Sequence, residues 1–424
     1  MHSDRTDVVI VGAGAAGLAA AHELTLAGRK VVVVEARKRI GGRIDTIRDP
    51  KWPLPIEAGA EFVHGEAKQT KSALRSLNLI ADDLPESDWA PGPNGLETLD
   101  FAGWEILSKR LSALQGRDLS FADFLKIHGA DLTAPEQAHA LAYVEGFEAA
   151  DALKISAAWL ADAEAETGPE EGAQRIRSGY ASMLDRYLQT NFARRLGWEV
   201  STIHWRRGWV RVESKAEAIE AAAAILTVPL GVLQIPRDEP GSLRFEPEIT
   251  EKRETWSKLE FGQVVKLVMC FRSAFWDDQA PGMVFLHTPD SPFGAWWTAR
   301  PSDAPLLTGW SGGPRAASLS RRDPGEVLEI GVQTLASALR MSEDSVKQLL
   351  ADWRVFDWQA DPFSRGAYAY VPVGGGNLPN LLAQPVENTL FFAGEATHAL
   401  LTGTVEGALA TGVRAAEQVL LASR

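Results

Sequence analysis

The chain has 424 residues, 45% of them hydrophobic, with a formal net charge of −13, eight histidines and a single cysteine, Cys270. That length supports two or three domain-sized units, and the acidic balance argues against a nucleic-acid partner while suiting a cationic one. One cysteine excludes an intrachain disulfide and a cysteine metal cluster, the scattered histidines show no metal-ligand spacing, and no run reaches the eighteen or so apolar residues that span a bilayer. No metal and no membrane contact are expected, and nothing points to an oxidising compartment, so a cytoplasmic location is expected.

The first informative stretch, residues 7–21, reads DVVIVGAGAAGLAAA. A secretory signal is the competing reading, because Arg5 precedes an apolar, alanine-rich run. Yet Val8 to Val11 is a short β-rich segment, and Gly12, Gly14 and Gly17 open a helical pattern that runs from Ala15 to Ala27 and stops at Gly28. A second strand, Val31 to Val34, then ends in Glu35. Strand, glycine turn, helix, strand and acid form a dinucleotide-binding unit. Gly12 permits the tight turn, Gly14 lets the backbone approach a pyrophosphate, and Gly17 lets helix pack on strand. The helix start, with Ala15 and Ala16 in its first turn, offers unpaired N–H donors to the phosphates. Glu35, about 20 residues on, is placed for ribose hydroxyls.

The next segment, EARKRIGGRIDT (35–46), adds a Gly41-Gly42 pair and Arg43, whose guanidinium suits the pyrophosphate bidentately, though alone it reads equally as a turn before a surface arginine. IEAGAEFVHG (56–65) follows. PESDWAPGPNGLET (85–98) carries strong turn signals and is expected as a surface loop, and AHALAYVEGFEAADAL (138–153) has helical patterning. The acidic run at 161–172 is expected as a solvated helix end. Interleaved arginines and tryptophans at 194–212 resemble a nucleic-acid surface, but alternating residues about an Arg-Arg-Gly turn favour a hairpin. QVVKLVMCF (263–271), FGAWWTAR (293–300) and LLTGW (306–310) are expected as strands of one sheet, and WSGG (310–313) as a strand end rather than a nucleophile elbow. Near the end come a strand over Leu390 to Ala393, a turn with Gly394 and Glu395, and a helix from about Thr404. The N–H groups of Thr404 and Val405 are expected to face an electron-rich ring carbonyl.

In this order these motifs resemble the flavin-containing amine oxidase family: monoamine, polyamine and spermine oxidases and the flavin-dependent histone demethylases. The motifs are VVIVGAGAAG, LTVPLGVL (226–233), FGQVVKLVMCF, DPFSRGAYAY (361–370) and FFAGEATH, with the poorest match at about 80–170. The resemblance implies an α/β chain: a Rossmann-type, glutathione-reductase-like FAD-binding domain from 1–75, 175–250 and 385–424, interleaved with an α+β substrate domain from 76–174 and 251–384. It implies FAD contacts from Glu35, Arg37, Arg43, the backbone of Gly59, Ala60, Glu61 and Phe62, Val200, Glu395, Thr404 and Val405, with Ala36, Gly42 and Gly394 beside them. Monoamine oxidases attach flavin through a cysteine in the segment matching SRGAYAY; here Ala367 stands there, so noncovalent FAD is expected.

Lys266, alone in an apolar strand, is either solvent-facing or, as the family implies, placed under the flavin. Trp358 and Tyr368 match the aromatics that wall the substrate, and His64 matches a histidine of several polyamine oxidases. Trp296 and Trp297 suit core or pocket wall. The activity implied is hydride removal from the carbon beside an amine nitrogen, giving an imine and hydrogen peroxide, with a small-molecule amine and molecular oxygen as partners. Polyamines suit the acidic balance. An L-amino-acid oxidase would need an arginine for the substrate carboxylate, which the sequence does not single out, since Arg365 suits bracing its loop. A partner-binding demethylase would carry a long helical insertion, and no heptad run appears.

Overall fold

The computed structural model describes residues 4–167, 172–237, 239 and 241–423. Its centre is a parallel five-stranded sheet, ordered Ala193–Leu196, Val31–Glu35, Val8–Val11, Ala223–Leu226, Leu390–Phe392. All four residues of Val8–Val11 are buried, as the continuous β-branched run requires of a strand covered on both faces. The helix that follows, Ala15–Leu26, ends beside Gly28 at φ +77°. It packs on the C-terminal helix, Val405–Ala422, through small residues: a Cβ on Gly412 would lie 2.2 Å from the Ala16 carbonyl oxygen. The alanine-rich first helix is buried on nearly every side, so its lack of an amphipathic stripe is a property of its position.

The 194–212 segment is split between two sheets. Ala193–Leu196 joins the parallel sheet beside Val31–Glu35, a long-range pairing with no local signal. Thr202–Arg206 and Trp209–Glu213 form the expected antiparallel hairpin, turning at Gly208, with Ile203, Val210 and Val212 fully buried.

A seven-stranded sheet runs Leu350–Asp357, Val264–Phe271, Leu306–Gly312, Ala295–Thr298, Phe285–His287, Asp88–Gly92, Gly95–Thr98. The last two strands correct the surface loop expected at 85–98. Its proline and glycine residues make a tight hairpin, and Trp89 and Leu96 pack against the sheet's core. Val264–Phe271 is buried on both faces. Period-two alternation sends Val265, Leu267 and Met269 into the core that includes Val332 and Leu335. Val268 and Cys270 point the other way, against Trp52 and Ile56. Lys266 shares that second face and is thereby aimed toward the segment that holds Trp52, Ile56 and Glu61.

Along the chain, four helices lie between the strands Gly95–Thr98 and Gln174–Ile176: Ala102–Ser112, Phe121–His128, Ala134–Phe147 and Ala157–Thr167. The helix expected over 138–153 starts earlier, at a Thr133/Glu136 capping box, and stops at Phe147. Ala149, at φ +48°, cannot continue it. Of the acidic run, 161–167 ends a helix, and 168–171 lie outside the described residues. Among the described residues no helix is long and apolar enough to cross a membrane.

Candidate active site

One cavity of about 1390 Å³ runs from the glycine turn, past the strand bearing Lys266, to the helical insertion. At its first end Gly12, at φ +107°, turns the chain, and the helix starting at Ala15 presents its N-terminus. Gly17 lies behind this wall, where a Cβ would stand 2.0 Å from the Gly12 carbonyl oxygen. The Gly41-Gly42 turn closes onto the same loop, Gly41 N–H donating to Ala13 O at 2.8 Å. Glu35 accepts from Ala13 N–H and Arg37 N–H, both at 2.8 Å. Those bonds fix the carboxylate at the cavity wall and leave it lone pairs for further donors. Ala36, Gly42 and Val200 line the same end.

Arg37 pairs with Asp361 and donates to Ser364 Oγ at 3.0 Å. Arg43 donates to Glu395 Oε1 at 2.9 Å and to the Ala367 carbonyl. Glu395 also accepts from Gly403 N–H at 3.0 Å, so one carboxylate ties the Gly-Gly segment to the loop before the last helix. There Thr404 caps Val405–Ala422 by accepting from Gly407 N–H. Its own N–H turns back to Leu401 O at 3.3 Å instead of standing free, because Leu401 to Thr404 closes a turn. Val405 N–H, at the first helical position, is among the donors a helix start leaves unpaired. Two helix N-termini, glycines where a Cβ has no room, and paired arginines and carboxylates fit a long dinucleotide carrying a large ring.

Gly59, Ala60, Glu61, Phe62 and Lys266 line the cavity together. The lysine is fully buried, and its Nζ lies 2.6 Å from Glu61 Oε2, 3.4 Å from Gly59 O and 5.4 Å from the Trp297 ring centre. This rules out the solvent-facing alternative. Glu61 Oε1 accepts from Arg175 Nη2 at 2.9 Å and Trp297 Nε1 at 3.0 Å. Burial pushes the Glu61 carboxyl up, but the charges of Lys266 and Arg175 and the bonds from Lys266 and Trp297 outweigh it and hold it below its usual range. The sequence pointed to the Glu61 backbone; the side-chain network with Arg175 carried no local signal.

Trp358 donates to Ala58 O at 2.9 Å, its ring flat enough against Gly59 that a Cβ there would stand 3.1 Å from it. Tyr368 donates to Phe147 O at 2.6 Å. Both line the cavity. Rings continue outward: His64 lies 5.3 Å from Phe147, which stacks on Tyr143 at 5.4 Å, and Tyr143 meets Trp104 at 4.4 Å. Trp297 is cavity wall, while Trp296 is core. His64 exposes its ring to this enclosed space, and the surrounding protein lowers its pKa to about 4, so it is neutral near pH 7.

Beyond Tyr368 stands Glu148, another residue the sequence reading did not single out. Its carboxylate has no hydrogen-bond or ion-pair partner among the described residues. Burial, and then the charge of Glu164, raise its pKa to about 7. Burial, Glu148 and Glu395 also push the Tyr368 hydroxyl well above its ordinary range. Arg315 lines the cavity too, 3.5 Å from Glu145.

Known proteins resemble this chain over nearly its whole length. A family model described as flavin containing amine oxidoreductase matches residues 15–420. The chain is 29% identical to polyamine oxidase 2 of Arabidopsis thaliana, over 98% of this chain and 88% of that protein. It is 28% identical to human lysine-specific histone demethylase 2, over 97% of this chain but 53% of the larger protein. Among solved structures, putrescine oxidase bound to putrescine superposes with a TM-score of 0.82 at 20% identity, covering 99% of this chain and 100% of that one. Cyclohexylamine oxidase from Brevibacterium oxydans IH-35A superposes with a TM-score of 0.83 at 22% identity, with the same coverage.

Proposed function

The chain belongs to the flavin-containing amine oxidoreductase family, and from that premise we propose that it oxidises a di- or polyamine at the carbon beside nitrogen, with oxygen as acceptor. Its cofactor is FAD, held noncovalently: the sole cysteine, Cys270, packs with Val268, Trp52 and Ile56 and does not line the cavity. When bound, FAD supplies the acceptor for a hydride and passes two electrons on to oxygen, which leaves as hydrogen peroxide. The amine becomes an imine, which water splits into a carbonyl compound and either ammonia or, where the nitrogen was secondary, a smaller amine.

The chain's own part is orientation, dehydration and charge. Gly12 to Ala16, Glu35, Arg37, Arg43 and Glu395 hold the cofactor, and Trp358 and Tyr368 confine the substrate and exclude water. Neutral His64 adds no positive charge to repel an ammonium. Lys266 stabilises negative charge that develops during the oxygen step.

The observation that carries the substrate class is Glu148, a carboxylate without a protein partner, in the same cavity as Lys266 and Tyr368. A second ammonium group on the substrate satisfies it, since an unpaired buried charge is costly. Polyamine oxidase 2 among the relatives supports this reading, as does the structure of putrescine oxidase with putrescine. A substrate carboxylate would instead require Arg315, which already faces Glu145. The proposal extends to the division of the chain into an FAD-binding domain (1–75, 175–250, 385–424) and a substrate domain (76–174, 251–384), and to a cytoplasmic location. A turnover screen of diamines, polyamines, monoamines and amino acids with peroxide readout tests it. Diamines or polyamines lead if the reading holds.

A further inference from the structure

Lys266 is not held by its own strand. The three groups converging on Glu61 come from separate parts of the chain: Lys266 from Val264–Phe271, Trp297 from Ala295–Thr298, and Arg175 from Gln174–Ile176. Arg175 is itself fixed from behind, donating to the carbonyls of Arg300 and Thr298 and lying over the Phe62 ring at 5.0 Å. The side chain of Glu61 is 12% exposed and that of Lys266 1%, so little water screens the pair. Lys266 and Glu61 line the cavity, whereas Arg175 lies outside its lining. The arrangement is a cation at the wall, a carboxylate fixing it, and a second cation behind.

We propose that Glu61 is the positioning residue for Lys266: its carboxylate sets where the ammonium stands and how much of its charge the bound FAD feels, with Arg175 adjusting that balance from outside the cavity. This rests on the reading of the cavity as the FAD site, but not on amine oxidation. A cation beside a ring that gains negative charge on reduction favours the reduced form. Glu61 opposes that effect by partly neutralising Lys266, and Arg175 restores it by drawing on Glu61's other oxygen. The two neighbours of Lys266 therefore act in opposite directions.

The test is the midpoint potential of the FAD-loaded protein, measured by equilibration with a reference dye in the absence of any amine. Glu61→Gln is expected to shift the potential to more positive values, and Arg175→Met to more negative ones. Introducing Glu61→Gln into Lys266→Met protein should give less than half the shift seen in the wild-type background, because Glu61 acts through Lys266. An unchanged potential in Glu61→Gln, or an equal shift with and without Lys266, overturns the proposal. If Glu61→Gln does not fold, Arg175→Met decides alone: no shift, or a positive one, refutes the assignment. A merely structural Glu61 would change thermal stability or FAD content and leave the potential where it was.

Discussion

Arg43 and Glu395 stand 352 residues apart in sequence and 2.9 Å apart in space. Both line the cavity, and the pair ties the segment after the Gly41-Gly42 turn to the loop before the C-terminal helix, which Glu395 holds through Gly403 N–H. Glu395 is nearly buried, so its loss leaves Arg43 without its charged partner. Glu395→Gln should cost about 2–3 kcal/mol of stability and weaken FAD retention. Thermal melting and fluorescence titration of the apoprotein with FAD check this; unchanged FAD affinity would remove Glu395 from the site.

Acid precipitation should release all of the FAD into the supernatant. The sole cysteine is buried in a cluster with Trp52, Ile56 and Val268 and does not line the cavity, and the resemblance to monoamine oxidases puts Ala367 where a cysteinyl link would form. Flavin colour remaining in the washed pellet contradicts noncovalent binding.

Lys266→Met should slow reoxidation by oxygen more than reduction by amine. A buried ammonium at the cavity wall should act most strongly on the compact charge that appears when oxygen accepts electrons, whereas the charge that reduction places on the flavin is spread over the ring. Stopped-flow measurement of the two half-reactions separates them. Reoxidation at the wild-type rate would leave Lys266 a structural role only.

Glu148 should make binding of a second ammonium pH-dependent. Its carboxyl titrates near pH 7, raised by burial and by Glu164. Its attraction for a cation is therefore present above about pH 7 and lost as pH falls below it. The KM of a diamine should rise as pH drops from 8 to 6, beyond any change seen with a monoamine. Glu148→Gln should raise the diamine KM about tenfold, equivalent to roughly 1.4 kcal/mol, and remove that extra pH dependence. Equal effects on putrescine and benzylamine would place the distal ammonium elsewhere.

What the sequence showed and what it hid divide by the range of the interactions. The turn at Gly12 to Gly17, the helix it opens and Glu35 were legible because each is a local demand of backbone geometry. The strand Val264–Phe271 was legible from its β-branched run, but which face Lys266 takes depends on Trp52 and Ile56, far away in the chain. The hairpin at 88–98 was hidden because its turn residues outweighed two short strands that gain stability only from Phe285–His287 and the core beneath. The bonds of Glu61 to Arg175 and Lys266 span 114 and 205 residues, and no periodicity reports such contacts. Glu148 looked like one more charge at the end of a helical pattern until folding half-buried it in the cavity wall.

A cavity that oxidises a di- or polyamine on noncovalent FAD should lose its flavin colour to that amine alone. The most direct measurement mixes the FAD-loaded protein anaerobically with spermidine, putrescine, benzylamine and several L-amino acids and follows the loss of flavin absorbance. Putrescine or spermidine should bleach the flavin fast, with hydrogen peroxide formed in stoichiometric amount when oxygen is admitted. An amino acid or benzylamine bleaching the flavin tenfold faster, or no amine bleaching a flavin that dithionite reduces, would contradict it.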